Sequence, residues 1–386
     1  MSSAQGKASP GGAASDHRPP KQEQERASDE VIEVAPGVLR MQLPIRMPGL
    51  GHVNMYCLLD DRGAAVIDPG LPGEDSWSVV IERLRAADLQ VRHVHTVVVT
   101  HSHPDHFGGA ARFRAETDCR VIAHECFSRA SHHDHESHLE VSVEHLQPGP
   151  ASTPTGPEPA PELPSGERAP WLRDPQDRPP TPWGGRPPVP TPQQRERWEK
   201  MRAAGTTHLF VPRLTHVVRH GSRMRLCGRE FRVLHTPGHT ADHLCLHDLE
   251  EGIFLAGDHV LPSITPHISG LGGTEDPLQD FFDSLDRVAD IDGVGRCLPA
   301  HGHPFEDLAA RTRAIRRHHE DRLETLRGLG SRLGAATVEQ LSRELFHPRS
   351  WGTMAESETY AHMEHLRLRR LAESRDRGDG VLVYEV

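Results

Sequence analysis

Apolar and polar positions alternate along the chain in a pattern that changes period several times. Val38-Leu39-Arg40-Met41-Gln42-Leu43 and Asn54-Met55-Tyr56-Cys57-Leu58-Leu59 read as strands, and Ala64–Ile67 as a third that ends at Asp68-Pro69-Gly70. From Asp75 to Leu89 the period lengthens. Val80, Ile81, Leu84 and Ala87 fall on one helical face behind an Asp or Ser cap. Thr96–Thr100 is a core strand, followed by a short helix near 108–117 and a strand at Arg120–Ala123. Strand signals resume at Leu214–Arg219, in a hairpin around Cys227-Gly228, and in a second hairpin around Glu250-Glu251-Gly252. Asp276-Pro277 opens a helix whose apolar face is Phe281, Phe282, Leu285, Val288 and Ala289. Cys297–Ala300 is a short strand, and a charged helix runs from about Glu306 to Leu329.

Two regions break this pattern. Residues 1–30 are Ser, Ala, Gly, Pro and charge, and read as a disordered leader. Residues 148–192 hold 16 prolines, too many for helix or central strand, so they read as an extended, solvated insertion. The flanks at 136–147 and 193–204 read as helices framing a cleft. The tail, 331–386, has two helices, Thr337–Phe346 and Glu356–Ser374, then a turn at Gly378-Asp379-Gly380 into a terminal strand. That order suggests a small winged-helix-like module, whose mixed Arg and Glu content suits packing on the core or forming a homodimer. The main domain is then 31–330.

Composition narrows the function classes. The net charge is -11, so the chain gains little from phosphate contacts and nucleic acid is disfavoured as a partner. No stretch approaches the roughly 20 apolar residues of a membrane span. The polar N-terminus has no apolar signal core, and the six cysteines form no CxxC pair, which together point to a reduced, cytoplasmic setting. The outlier is the count of 29 histidines.

The histidines that matter stand directly after strands. Thr100-His101-Ser102-His103-Pro104-Asp105-His106 follows the core strand and precedes Phe107-Gly108-Gly109. Its spacing reads as a tight loop that points His101 and His103 one way, and Asp105 and His106 the other. Four ligand-type residues within six positions supply most of two metal shells. A merely polar loop in a His-rich chain is the plain alternative. Its place between an apolar strand and a Gly-Gly helix entry argues against that. Thr236-Pro237-Gly238-His239, Gly257-Asp258-His259 and Ala300-His301-Gly302-His303 also end strands, where loops gather on one rim of a sheet scaffold. The run Ser131–His138 has no flanking strand and reads as a polar segment at the edge of the insertion.

This set, HxHxDH followed by an isolated His, an Asp and a last His, resembles the metallo-β-lactamase fold superfamily. Within it, Thr236-Pro237-Gly238-His239-Thr240 resembles the glyoxalase II and β-lactamase-like hydrolase branches, and Gly257-Asp258-His259-Val260-Leu261 with the winged-helix-like tail is most similar to the second. The resemblance implies an α/β fold, a four-layer αββα sandwich. It implies that His101, His103 and His239 hold one metal, that Asp105, His106 and His301 hold a second, and that Asp258 bridges them. Asp68 would support the ligand loop. Antibiotic-cleaving members generally lack an Asp at the Asp258 position, so the implied activity lies elsewhere. We expect a dinuclear hydrolase of a small-molecule ester or thioester, acting through a metal-bridging hydroxide. The alternative is a phosphodiesterase on single-stranded RNA. Two divalent ions are the expected cofactors, zinc by default, with iron or manganese as alternatives. Asp105, His243 and His259 complete the candidate catalytic set, the two histidines as proton donors to the leaving group.

Overall fold

The computed structural model describes residues 21–47, 49–127, 156–159, 180–185, 196, 212–271 and 273–386. The expected flanking helices at 136–147 and 193–204, the run 131–138 and residues 1–20 lie outside them, apart from Glu196, which is helical.

The first sheet has eight strands: β1 (Val31–Ala35), β2 (Val38–Met47), β3 (Leu50–Asp60), β4 (Gly63–Ile67), β5 (Val94–Val98), β6 (Arg120–His124), β7 (Glu158–Pro159) and β8 (His216–Val218). Their order is β1-β2-β3-β4-β5-β6-β8-β7. The second has five, β9 (Arg223–Leu226), β10 (Arg229–His235), β11 (Leu244–Asp248), β12 (Ile253–Gly257) and β13 (Arg296–Pro299), in the order β13-β12-β11-β10-β9.

The period of two along each strand decides the layering. On β3, Val53, Met55 and Cys57 enter one core while Tyr56 and Leu58 enter another. In β4 and β5 the split is Val66 and Val97 against Ala65, Ile67 and Val98. The first of these cores also takes Trp77, Val80 and Leu84 of α1 (Glu74–Ala86), and Ala110 and Phe113 of α3 (Ala110–Thr117). The second lies between the sheets, where Leu244, Leu246, Ile253 and Leu255 meet it from β11 and β12. The opposite faces of β11 and β12, Cys245, Phe254 and Ala256, pack on Leu278, Phe281, Phe282, Leu285 and Val288 of α4 (Pro277–Ala289) and on Ile315 of α5 (Leu308–Leu333). Three cores separate four layers, helix on sheet on sheet on helix. The helix at 277 is capped as expected, by the Asp276 carboxylate accepting from the Gln279 amide at 3.0 Å.

The tail contains α6 (Val338–Leu345), α7 (Thr353–Leu368) and a three-stranded antiparallel sheet in the order β14 (Ala336–Thr337), β16 (Leu382–Glu385), β15 (Glu373–Asp376). They share a fourth core with Leu326 of α5.

Three expectations are corrected. The leader does not extend to residue 30: Gln22–Gln24 form a 3-10 turn and Glu23 is fully buried, because its carboxylate meets two backbone amides and a hydroxyl of the loop at 263–264. The insertion is not solvated throughout. Trp183 is buried in the tail's core, and the indole Nε1–H donates to Glu356 at 3.2 Å. Pro104–Phe107 is a helical turn, α2, rather than loop, since Pro at its first position needs no amide partner. Among the described residues no helix is long and apolar enough to cross a membrane. No described cysteine is disulfide-bonded.

Leu246 is fully buried between the sheets. Leu246→Ala is expected to cost about 2–5 kcal/mol, read as a lower denaturant midpoint at unchanged slope.

Candidate metal centre

Every candidate ligand sits at the C-terminal end of a strand or in the turn after it, on the rim where the two sheets meet. β5 delivers His101 and His103, α2 carries Asp105 and His106, β10 leads to His239, β12 to Asp258 and β13 to His301. The structure gathers them into two groups. His101, His103, His239 and Asp258 form one, and Asp105, His106 and His301 the other. Within the first, His103 Nδ1 lies 3.0 Å from His101 Nε2 and 3.0 Å from His239 Nε2. Within the second, Asp105 Oδ2 is 3.5 Å from His106 Nε2 and 3.6 Å from His301 Nε2. Asp258 stands between them. Its Oδ2 is 3.6 Å from His239 Nε2 and 3.5 Å from His106 Nε2, and its Oδ1 is 3.3 Å from His301 Nε2. Ligand atoms at bonds of about 2.0–2.1 Å around a tetrahedral ion stand about 3.3 Å apart, close to these separations.

Hydrogen bonds fix the tautomers. His101 gives its Nδ1 proton to Thr100 Oγ1 at 3.0 Å, and that hydroxyl donates to Asp68 at 2.7 Å. The Nδ1 proton of His106 goes to Asp68 Oδ2 at 2.9 Å, that of His239 to the His267 carbonyl at 2.7 Å, and that of His301 to the His52 carbonyl at 2.6 Å. Four Nε2 lone pairs therefore face inward. His106 Nε2, His301 Nε2 and Asp258 Oδ1 are buried with no hydrogen-bond partner. Buried acceptors aimed at one another are costly unless a cation lies between them, so the donor set fits divalent metal ions. The groups differ electrostatically. Burial, then neighbouring imidazoles, holds His101 well below the ordinary histidine range. Burial also acts to lower His106, but Asp105, Asp258 and Asp68 outweigh it and hold it well above.

Asp68 ends β4 in the left-handed region at φ 54°. One oxygen accepts the Thr100 amide at 2.9 Å, while the other takes Thr100 Oγ1 and His106. It thus fixes the loop and a ligand together, the role the resemblance implied.

The two expected proton donors are placed differently. His243 donates from Nδ1 to Thr236 Oγ1 at 2.7 Å and accepts the Asp258 amide on Nε2 at 3.0 Å. With both nitrogens engaged, it holds the backbone of Asp258 instead of offering a proton to a substrate. Its close packing also requires a glycine at 257, where a Cβ would lie 2.6 Å from its Nε2. His259 is fully buried, its ring edge-on to Phe281 at 5.2 Å, and burial pushes it down to about 3. Neither reaches the open side, where His103 is the part-exposed ligand. His303 bonds Arg40 at 3.0 Å and Glu25 at 2.8 Å, away from the ligand groups.

Sequence reasoning missed several supports. Asp242 accepts from Ser102 at 3.0 Å, tying the turn after β10 to the first loop. The Asn54 amide donates to the Pro299 and Gly302 carbonyls on either side of His301. His52 and His267 contribute backbone oxygens, which no side-chain motif can signal.

The sequence model of the metallo-beta-lactamase superfamily matches residues 48–332. The chain is 32% identical over 137 residues to the lactamase-like protein vrtG of Penicillium aethiopicum, which covers 33% of this chain and 42% of that protein. It is 33% identical over 112 residues to a hydroxyacylglutathione hydrolase of Xanthomonas euvesicatoria pv. vesicatoria, covering 29% and 40%. It therefore spans about two fifths of the length of these curated relatives. A metallo-beta-lactamase family protein of Thermus thermophilus superposes with TM-score 0.64 at 26% identity, over 92% of this chain and 99% of that one. A beta-lactamase domain protein of Burkholderia ambifaria gives 0.65 at 24%, over 94% and 96%. The strand-end ligand loops, the two-sheet sandwich and the match over 48–332 agree: the chain belongs to the metallo-beta-lactamase superfamily.

Proposed function

We propose that the protein is a dinuclear metal hydrolase of a small-molecule ester, most specifically a thioester. The observation that carries the reading is Asp258, whose carboxylate stands between His239 of the first group and His106 and His301 of the second. A structural zinc site needs four closed ligands, whereas seven around two centres suit catalysis. Bound there, a pair of divalent ions supplies an activated water and Lewis-acid polarisation of the scissile carbonyl. The chain's own residues set the geometry. Asp68 orients His106, the His267 carbonyl orients His239, and His243 fixes the Asp258 backbone. His103, at the part-exposed edge, marks the side from which substrate approaches.

Thioester chemistry is favoured by the likeness to hydroxyacylglutathione hydrolases, which spans part of each protein rather than the whole. The charge pattern weighs against an RNA backbone. On α5 and α7 the side chains of Arg316, Arg322, Arg327, Arg332 and Arg367 are paired with Asp286, Glu358, Glu324, Glu344 and Glu364, which offsets their charge toward a phosphate backbone. Zinc is the expected ion for this nitrogen-rich set, and a cytoplasmic setting suits its free thiols.

Metal-loaded protein is expected to turn over acyl-glutathione or acyl-CoA thioesters in preference to a bis-aryl phosphodiester. His103→Ala should lose more than the about 10- to 100-fold that an outer-shell change costs. Phosphodiester turnover without thioester turnover would overturn the acyl assignment. Asp68→Asn, which leaves the ligands in place, is expected to weaken metal binding about 10- to 100-fold, measured by competition with a chromogenic chelator.

A further inference from the structure

His239 hands its Nδ1 proton to the loop that follows Asp258. The acceptor, the His267 carbonyl, lies in the middle of the segment 261–271 between β12 and α4. No regular helix or strand covers this segment, so its backbone is fixed by what grips it from outside.

The grips come from both sides. At its start, the buried Glu23 carboxylate accepts the Ser263 amide at 2.7 Å and the Ile264 amide at 3.1 Å, and also the Ser263 hydroxyl. Arg311 of α5 donates to the carbonyls of Leu261 and Ile264. In the middle, the His267 ring Nδ1 lies 3.5 Å from Glu358 Oε2 on α7, and Glu358 is in turn held by Arg322. Ile268, next to it, is fully buried in the core under the second sheet. At its end, Gly270 donates its amide to the Ser357 carbonyl at 3.3 Å, and Ser269 Oγ is 3.2 Å from Ser357 Oγ. The helix lies so close that a Cβ on Gly270 would fall 2.3 Å from the Tyr360 ring.

From this geometry we infer that the loop 261–271 is the support of the first metal-ligand group, and that Glu358 and Glu23 are its positioning residues. They come from opposite ends of the chain and act on His239 through the loop backbone. A hydrogen bond to a ligating imidazole sets both its tautomer and its direction, so displacing the carbonyl misaims Nε2. The second group does not depend on Glu358. His301 and His106 are held by the His52 carbonyl on β3 and by Asp68, both at rigid strands. The tail module is thereby part of the metal centre's support, although it contributes no ligand.

The inference rests on the metal-binding reading above, and the test separates the two. Zinc and cobalt binding to the full chain would be measured by chelator competition. His239→Ala and His301→Ala assign the two binding steps. Glu358→Ala is expected to weaken the step that His239→Ala abolishes by about tenfold, and to leave the other step within about twofold. It should also change the cobalt d–d spectrum. Glu23→Ala, on the far side of the loop, should weaken the same step. Glu364→Ala, on the same helix but bonded to Arg367 and Tyr384, should change neither step. Unchanged first-step affinity in Glu358→Ala would overturn the positioning role. So would equal weakening of both steps with a lowered melting temperature, which would make the contact structural only. Failure of the wild type to take up two ions would instead overturn the dinuclear reading.

Discussion

Imidazole nitrogens held 3.0 Å apart are the constraint on which this structure turns. Two nitrogens at that distance without a proton between them repel, and desolvation adds to the cost. The chain keeps the ligand rings in place by giving His101, His106, His239 and His301 one fixed acceptor each for the Nδ1 proton: Thr100, Asp68 and the carbonyls of His267 and His52. Removing any acceptor would free a ring to flip its tautomer and turn a ligand into a donor. The same logic places His243 behind Asp258, where an imidazole acceptor fixes a backbone amide.

The αββα architecture makes this arrangement possible by holding strand ends still. Strands β4, β5, β10, β12 and β13 are each buried by cores on one or both faces, so the turns that follow them leave from fixed points. Close backbone approaches then tighten the rim. A Cβ on Gly238 would lie 2.4 Å from that of Phe281, and one on Gly108 would lie 2.1 Å from the Pro72 nitrogen. Small residues there let helix and ligand loop come together, at the usual entropic cost of glycine. Asp68 adopts the left-handed conformation for a related reason, since the end of β4 must turn sharply for its carboxylate to reach two partners.

Beyond the sandwich, segments at both ends of the chain close on the same rim. By composition the turn at 22–24 reads as part of a disordered leader, because it is polar. That polarity is what lets Glu23 satisfy the exposed amides of loop 261–271. Trp183 is likewise hidden in a proline-rich stretch and is a core residue of the tail. Composition averages over a window, whereas burial is decided one side chain at a time.

The sequence by itself determined most strands of the two large sheets and the metal-ligand candidates, while the four-layer order came from the family resemblance and the strand at Glu373–Asp376 lies partly where a helix was expected. The apolar runs at Asn54–Leu59 and Thr96–Thr100 mark strands without saying which face meets which core, and ligand-type residues directly after strands need no long-range information to be found. His101, His103, Asp105, His106, His239, Asp258 and His301 were legible from that position together with the family motif, which separates them from His259 and His303, and the helix at Pro277 was legible from its Asp276 cap and apolar face. Tertiary structure alone decided what surrounds them. His243 and His259 carry the same chemical potential as the ligands, and only packing shows that one supports Asp258 and the other is sealed against Phe281. The carbonyls of His52 and His267, and the reach of Glu23 and Glu358, join residues far apart in sequence. Backbone groups are identical at every position, so their roles follow from where the fold brings them rather than from which residue bears them.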